Sequence, residues 1–164
     1  MRGRRSGGAR VICGGSGHPG RARPDTRPTR EAAVPEFPAI HHLALSVTDL
    51  RVSEPWYVKL IGAEPAMTLS DGPFHRRVFA LPSGQLLGLT RHDDVDGGDS
   101  FSPSRPGMDH VGFGVGDRSE LEQWRDHLDA AGIAHDGITE ADYGLGLSFK
   151  DPDGNALEFF VLAA

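Results

Sequence analysis

The chain predicts an α+β protein made of two tandem βαβββ modules with mixed sheets, and three observations predict it. First, His42-Leu43-Ala44-Leu45-Ser46-Val47-Thr48-Asp49 matches His110-Val111-Gly112-Phe113-Gly114-Val115-Gly116-Asp117 position for position. Each copy opens on a His, alternates apolar residues, and ends on an Asp. Second, each copy is followed by a helical periodicity and then by three strand-like runs. Third, the runs meet matching turn landmarks, Pro82-Ser83-Gly84 and Pro152-Asp153-Gly154. Repetition at this scale points to two copies of one supersecondary unit.

The elements follow in order. Residues 40–47 alternate apolar and small or polar side chains, as a half-buried strand does. Val52, Trp56, Leu60 and Ile61 then recur at helical spacing, with Asp49 or Ser53 as candidate caps. Pro55 fits only the first turn of a helix, which places the regular helix start near Ser53. Gly62 closes it. Residues 65–69, 75–81 and 85–90 read as strands, split by Asp71-Gly72 and by Pro82-Ser83-Gly84. A polar stretch over 92–107 links the modules. Residues 108–115 form the next strand. Residues 118–131 form a helix with Leu121, Trp124, Leu128 and Ala131 on one stripe, closed by Gly132. Residues 133–139, 145–150 and 156–162 are strands, the last two joined by Asp151-Pro152-Asp153-Gly154.

Residues 1–38 read differently. They hold eight Arg against three acids, a formal +5, with many Gly and Pro and no apolar periodicity. The expectation is a disordered extension, or a start placed too far upstream. Arg4-Arg5 resembles a twin-arginine start, but Val11-Ile12-Cys13 is too short for an apolar core, and an Arg-rich, acid-poor start also fits a transit peptide. The body, 39–164, is one domain with modules over 40–91 and 108–163. It carries nine basic against twenty acidic residues, which argues against nucleic acid as a partner. No stretch approaches a membrane span. Cys13 is the single cysteine, so an internal disulfide is excluded and a Cys zinc cluster has no ligands. The expected setting is the cytoplasm, and the expected partner is a small molecule.

Alternation sorts the strand residues into faces. Leu43, Leu45 and Val47 oppose His42, Ala44 and Ser46. Val111, Phe113 and Val115 oppose His110, Gly112 and Gly114. Leu157, Phe159 and Val161 oppose Ala156, Glu158 and Phe160. The aliphatic faces should bury against the helices, leaving His42, His110 and Glu158 among small residues. A carboxylate flanked by Leu157 and Phe159 is costly to bury alone, and a cation relieves that cost. Two imidazoles and one carboxylate make a candidate divalent-metal site. His41 is the rival ligand, but Asp109 stands at its counterpart, so register favours His42.

These modules, the His-opened strands, the run Asp49-Leu50 through Trp56-Tyr57, Leu60 and Gly62, and the run from Asp151-Pro152-Asp153-Gly154-Asn155 to Glu158-Phe159 together resemble the vicinal oxygen chelate superfamily. That is the glyoxalase/bleomycin resistance/dioxygenase family, and the resemblance spans about residues 40 to 162. It implies sheets curled around one metal whose ligands fall at His42, Gly88, His110 and Glu158. Gly88 has no side chain to ligate with, so this chain departs from the four-ligand pattern. An isomerase of the glyoxalase type would lack a base there. The remaining triad resembles the family's extradiol dioxygenases and fosfomycin-modifying transferases. It suits Fe(II), Mn(II), Ni(II) or Zn(II), leaves open positions, and favours an anionic chelating substrate such as a catecholate or enediolate. The leading expectation is therefore a metal-dependent dioxygenase or lyase. A non-enzymatic, drug-sequestering member is the alternative. Of the other candidates, Tyr143 stands as a proton donor or substrate contact at the cavity mouth, with packing as its plain reading. Arg76 stands as an anion-steering residue or a solvated one. Asp93-Asp94-Val95-Asp96 fails the spacing of a calcium loop, and Gly112 to Asp117 fails the dinucleotide fingerprint. The linker is long enough for the modules to pair within one chain or to swap between the two chains of a homodimer.

Overall fold

The computed structural model describes residues 36–70, 72–98 and 100–163. The elements run β1 (His42–Ser46), α1 (Leu50–Ile61), β2 (Met67–Leu69), β3 (Phe74–Ala80), β4 (Leu86–His92), β5 (Val111–Gly114), α2 (Arg118–Ala131), β6 (His135–Ala141), β7 (Gly144–Lys150) and β8 (Ala156–Leu162). They form two four-stranded mixed sheets, ordered β1-β4-β3-β2 and β5-β8-β7-β6. In each, the first strand of the module pairs in parallel with its last, and the remaining pairs are antiparallel. This is the twice-repeated βαβββ order that the sequence predicts. The Arg-rich tail and Cys13 lie outside the described residues, apart from positions 36 to 38. No helix among the described residues is long and apolar enough to cross a membrane.

Both helices are set by their caps. Asp49 accepts from the backbone N–H of Arg51, and Arg51 in turn holds the Asp49 carboxyl down to about 2. Asp117 accepts from the N–H of Glu120, while the Glu120 carboxylate accepts from the N–H of Gly116 at 2.7 Å, a reciprocal capping box. Gly62 and Gly132 close the helices at φ of 75° and 69°. The helix α1 begins at Leu50, one turn before the start expected from Pro55. Pro55 sits inside it and removes a single hydrogen bond, the one Arg51 C=O would accept. Arg51 is exposed, so water can satisfy that carbonyl. The strand β5 starts at Val111, which leaves His110 just outside the ladder.

One apolar core gathers Leu45, Val47, Leu87 and Leu89 from the first sheet, Tyr57 and Leu60 from α1, Leu121 and Leu128 from α2, and Leu147, Phe149, Leu157 and Phe159 from the second sheet. Among the described residues no strand of one sheet pairs with a strand of the other. The modules meet through α1, α2 and the β7–β8 turn. Trp56 stacks on Phe149 with centroids 6.4 Å apart, and His127 on α2 donates to the last carbonyls of α1, Lys59 and Leu60, at 3.0 and 3.1 Å. The strongest tie is polar. The Tyr57 hydroxyl donates to Asp151 at 3.0 Å, and Asn155 donates to both Asp151 and the Ser46 carbonyl. Asp153 accepts from the Thr48 N–H and hydroxyl at 2.9 and 2.5 Å and from the Ser53 hydroxyl at 3.1 Å. Each buried carboxylate oxygen is thus matched by a donor, which is what makes the burial tolerable.

Burial pushes the Asp151 carboxyl up, against the lowering pull of Asn155 and Tyr57. The folded chain therefore holds a proton here that the unfolded chain has already released. This group's contribution to stability is greatest in acid and declines as pH rises through its raised value. Tyr57 donates to the ionised form. Replacing it by Phe removes that donor, so Y57F should cost about 1–3 kcal/mol. The cost should be larger at neutral than at acid pH. Urea midpoints measured across that range, with an unchanged slope, check both statements.

Candidate metal centre

On the second sheet, Gly112 pairs with Glu158 and Val111 with Leu157, which brings His110 beside the carboxylate. His110 Nε2 lies 3.9 Å from Glu158 Oε2. That is too long for a hydrogen bond and within reach of two ligand bonds of about 2.1 Å to a shared ion. His110 Nδ1 donates to Asp109 Oδ2 at 2.7 Å, which keeps the proton on Nδ1 and the lone pair on Nε2. Ser148 Oγ lies 3.5 Å from Glu158 Oε1. A Cβ at Gly146 would stand only 2.5 Å from that same oxygen, so the glycine clears the space the carboxylate occupies. His110, Ser148 and Glu158, with Gly112, Gly114, Phe160 and Tyr143, line an open hollow of about 660 Å³. Tyr143 is exposed at its edge and stacks on Phe160, centroids 6.1 Å apart.

The first sheet repeats the register. Ala44 pairs with Gly88 as Gly112 pairs with Glu158, so Gly88 is the counterpart of the carboxylate, as the repeat predicts. His42 occupies the place of His110, and His41 Nδ1 lies 3.1 Å from His42 Nδ1 as Asp109 lies against His110. Arg76 shares this open face. Its Cδ lies 3.6 Å from where a Gly88 Cβ would stand, its Nε donates to Thr90 Oγ1 at 2.7 Å, and its guanidinium sits 4.8 Å from the Phe74 ring centre.

His110 and Glu158 therefore come together, with Tyr143 on the same hollow. His42 does not join them, and Arg76 stays with His42. No group of three or more His, Cys, Asp or Glu able to hold one ion occurs among the described residues. The cause is the shared core. Because the helix-facing sides of both sheets bury into it, the faces bearing His42 and Glu158 are the ones left open. His42, Ala44 and Ser46 are exposed, as are His110, Gly112 and Gly114. Each module thus presents one open face, with His42 and Arg76 on the first and His110 and Glu158 on the second. Other histidines among the described residues have other partners: His75 with Asp93 and Ser70, His92 against Phe74, His127 with the Lys59 and Leu60 carbonyls, and His135 with Asp129. In the acidic run, Asp93 faces His75 and Arg91, and Asp96 accepts from Gly98 N–H. The sequence reading passed over Asp109 as a brace for His110 and Gly146 as a clearance for Glu158. A small residue on the strand next to a candidate ligand is a signal only once the register is known.

The family profile described as the Glyoxalase/Bleomycin resistance protein/Dioxygenase superfamily matches residues 39–159. The chain is 32% identical over 124 residues to a trivalent organoarsenical cleaving enzyme of Bacillus sp. (strain MD1), covering 73% of this chain and 70% of that one. Its fold is similar to the crystal structure of a glyoxylase/bleomycin resistance protein/dioxygenase domain from Frankia sp. EAN1pec. The TM-score is 0.71 at 29% identity, covering 77% of this chain and 93% of the other. A fosfomycin resistance protein from Listeria monocytogenes shares the fold, with a TM-score of 0.58 at 17% identity over 77% of this chain and 95% of its own.

The hollow's edge depends on one glycine. At Gly144, φ is 152°, and an added Cβ would strike the Val161 carbonyl and the Phe160 ring. G144A should destabilise by about 2 kcal/mol or more, whereas G112A, whose Cβ would meet nothing within 4 Å, should cost under about 0.5 kcal/mol. Thermal unfolding of the two variants side by side checks the contrast.

Proposed function

Because the chain belongs to the glyoxalase/bleomycin resistance protein/dioxygenase superfamily, we propose that it is a divalent-metal enzyme acting on a small substrate that chelates through two oxygens. We propose further that it works as a homodimer. In that dimer His42 of one copy completes the pair His110 and Glu158 of the other. The observation that carries the reading is the 3.9 Å approach of His110 Nε2 to Glu158 Oε2 on an open sheet face, with His42 at the equivalent place on a second open face.

The donor set fits such an ion. Two neutral imidazoles and one carboxylate suit Fe(II), Mn(II), Ni(II) or Zn(II) and leave positions free for substrate. When bound, the ion supplies Lewis acidity and a template for the two oxygens. The chain's own groups do the rest. Asp109 keeps the His110 proton on Nδ1, and Ser148 steadies Glu158. Gly112 and Gly114 leave the sheet bare where substrate must lie. Tyr143, at the edge of the hollow, offers a hydroxyl to give or take a proton at a substrate oxygen. The carboxylate that an isomerase would use at position 88 is absent, so ring cleavage or lysis is favoured over isomerisation. The Bacillus relative is named for cleaving trivalent organoarsenicals. Trivalent arsenic seeks thiols, and Cys13 is this chain's one thiol, so an oxygen chelate remains the preferred substrate.

Subunit mixing tests the proposal. H42A and E158A should each lose metal when purified alone. Mixed and reassorted, they should regain about a quarter of the wild-type sites, because half the dimers pair the two variants and each such dimer has one intact site. Metal analysis reads the result. No recovery on mixing would rule out the shared site, and equal metal in all proteins would end the metal reading. Undiminished drug binding by metal-stripped protein would instead favour sequestration. A panel of catechols, 2-oxo acids, thiol conjugates and a trivalent arylarsenical narrows the substrate.

A further inference from the structure

The two modules fill one equivalent corner in opposite ways. In the second, Gly146 pairs with Phe160, and the strand position it leaves bare admits the Glu158 carboxylate. In the first, the counterpart of Gly146 is Arg76, which pairs with Thr90, and the counterpart of Glu158 is Gly88. Here the strand position left bare is Gly88, and the Arg76 side chain lies over it with Cδ 3.6 Å from the would-be Cβ. Glycine and charged residue have changed places, and the charge has changed sign.

Arg76 is also distinct from the other arginines of the body. Arg51, Arg77, Arg91, Arg118 and Arg125 face Asp49, Glu54, Asp93, Glu140 and Asp126, and Arg105 donates to the Ser100 carbonyl. Arg76 donates only through Nε, to Thr90, whose side chain is 2% exposed. Among the described residues nothing accepts from its two terminal amino groups. The Phe74 ring and the Thr90 hydroxyl hold the guanidinium beside Gly88 and leave its terminal amino groups free to pair with a ligand.

We propose that Arg76 is the specificity-determining residue of the site, taking an oxyanion of the substrate at the corner where the other module presents Glu158. This rests on the metal-binding dimer proposed above, which brings the face bearing His42 and Arg76 to the His110 and Glu158 of the other copy. Two imidazoles and one carboxylate leave a divalent ion with a charge of about +1, and the guanidinium raises the site to about +2. The matching substrate class is a chelating dianion, an oxygen pair carrying two negative charges with one oxygen shared between ion and guanidinium. A neutral or singly charged chelate leaves the fork unpaired.

Oxalate, a small chelating dianion, serves as probe. Calorimetry measures Zn(II) binding to the metal-free dimer and then oxalate binding to the Zn(II)-loaded one. In R76Q, oxalate affinity should fall about 10- to 100-fold while Zn(II) affinity stays within about threefold. R76K should keep part of the oxalate affinity, since it retains charge without the fork. The exchange variant, Arg76→Gly with Gly88→Glu, should bind Zn(II) more tightly and oxalate more weakly. Equal oxalate affinity in R76Q and wild type, with Zn(II) bound normally, would overturn this proposal alone. A wild-type protein that binds no Zn(II), Fe(II), Mn(II) or Ni(II) would overturn the metal reading and this one with it.

Discussion

The architecture depends on two buried carboxylates. Asp151 and Asp153 sit in the turn between β7 and β8, yet their partners, Tyr57, Thr48 and Ser53, belong to the other module. A buried acid without donors costs several kcal/mol, so these side chains hold the modules in the one arrangement that supplies them. That arrangement joins the helix-facing sides of both sheets in a single core. It also decides which faces stay open. The open faces bearing His42 and Glu158 follow from the way the modules are tied.

Much of this was legible in the chain. The repeat from His42 to Asp49 and from His110 to Asp117 predicts the two modules, helical periodicity predicts both helices, and the matching turns at Pro82 and Pro152 align Gly88 with Glu158. Strand parity alone predicted that Leu45, Leu157 and Phe159 bury and that His42 and Glu158 do not. Local chemistry carried these readings because period and turn residues act over a few positions. What escaped was long-range. Asp151-Pro152-Asp153-Gly154 read as a hairpin turn, and it is one, but its side chains serve a module a hundred residues away. Pro55 places the expected helix start near Ser53, because proline normally fits only the first turn. It is tolerated here because the carbonyl it orphans belongs to an exposed arginine.

The candidate site shows the same division. The residue types were readable, and so was the departure at Gly88. The clearance at Gly146 and the lean of Arg76 over Gly88 were not, because both depend on which residue on a neighbouring strand stands opposite, and pairing partners are not written locally. The bracing of each histidine by its preceding residue is intermediate. Asp109 and His41 are adjacent in sequence to the histidines they touch, but adjacent residues on a strand ordinarily point apart, and only the position of His110 ahead of the ladder brings Asp109 to its ring.

The parallel pairing of β1 with β4, and of β5 with β8, has a kinetic side. The meander from β2 to β4 is built from neighbours and can zip early. The opening strand of each module must wait for the closing one to be made. During synthesis the histidine strand is therefore the last piece to dock in its own half, and the first half's helix stays without the Asp151 and Asp153 acceptors until the β7–β8 turn has been made. Tyr57, fully enclosed in the folded chain, stays in water until that turn arrives.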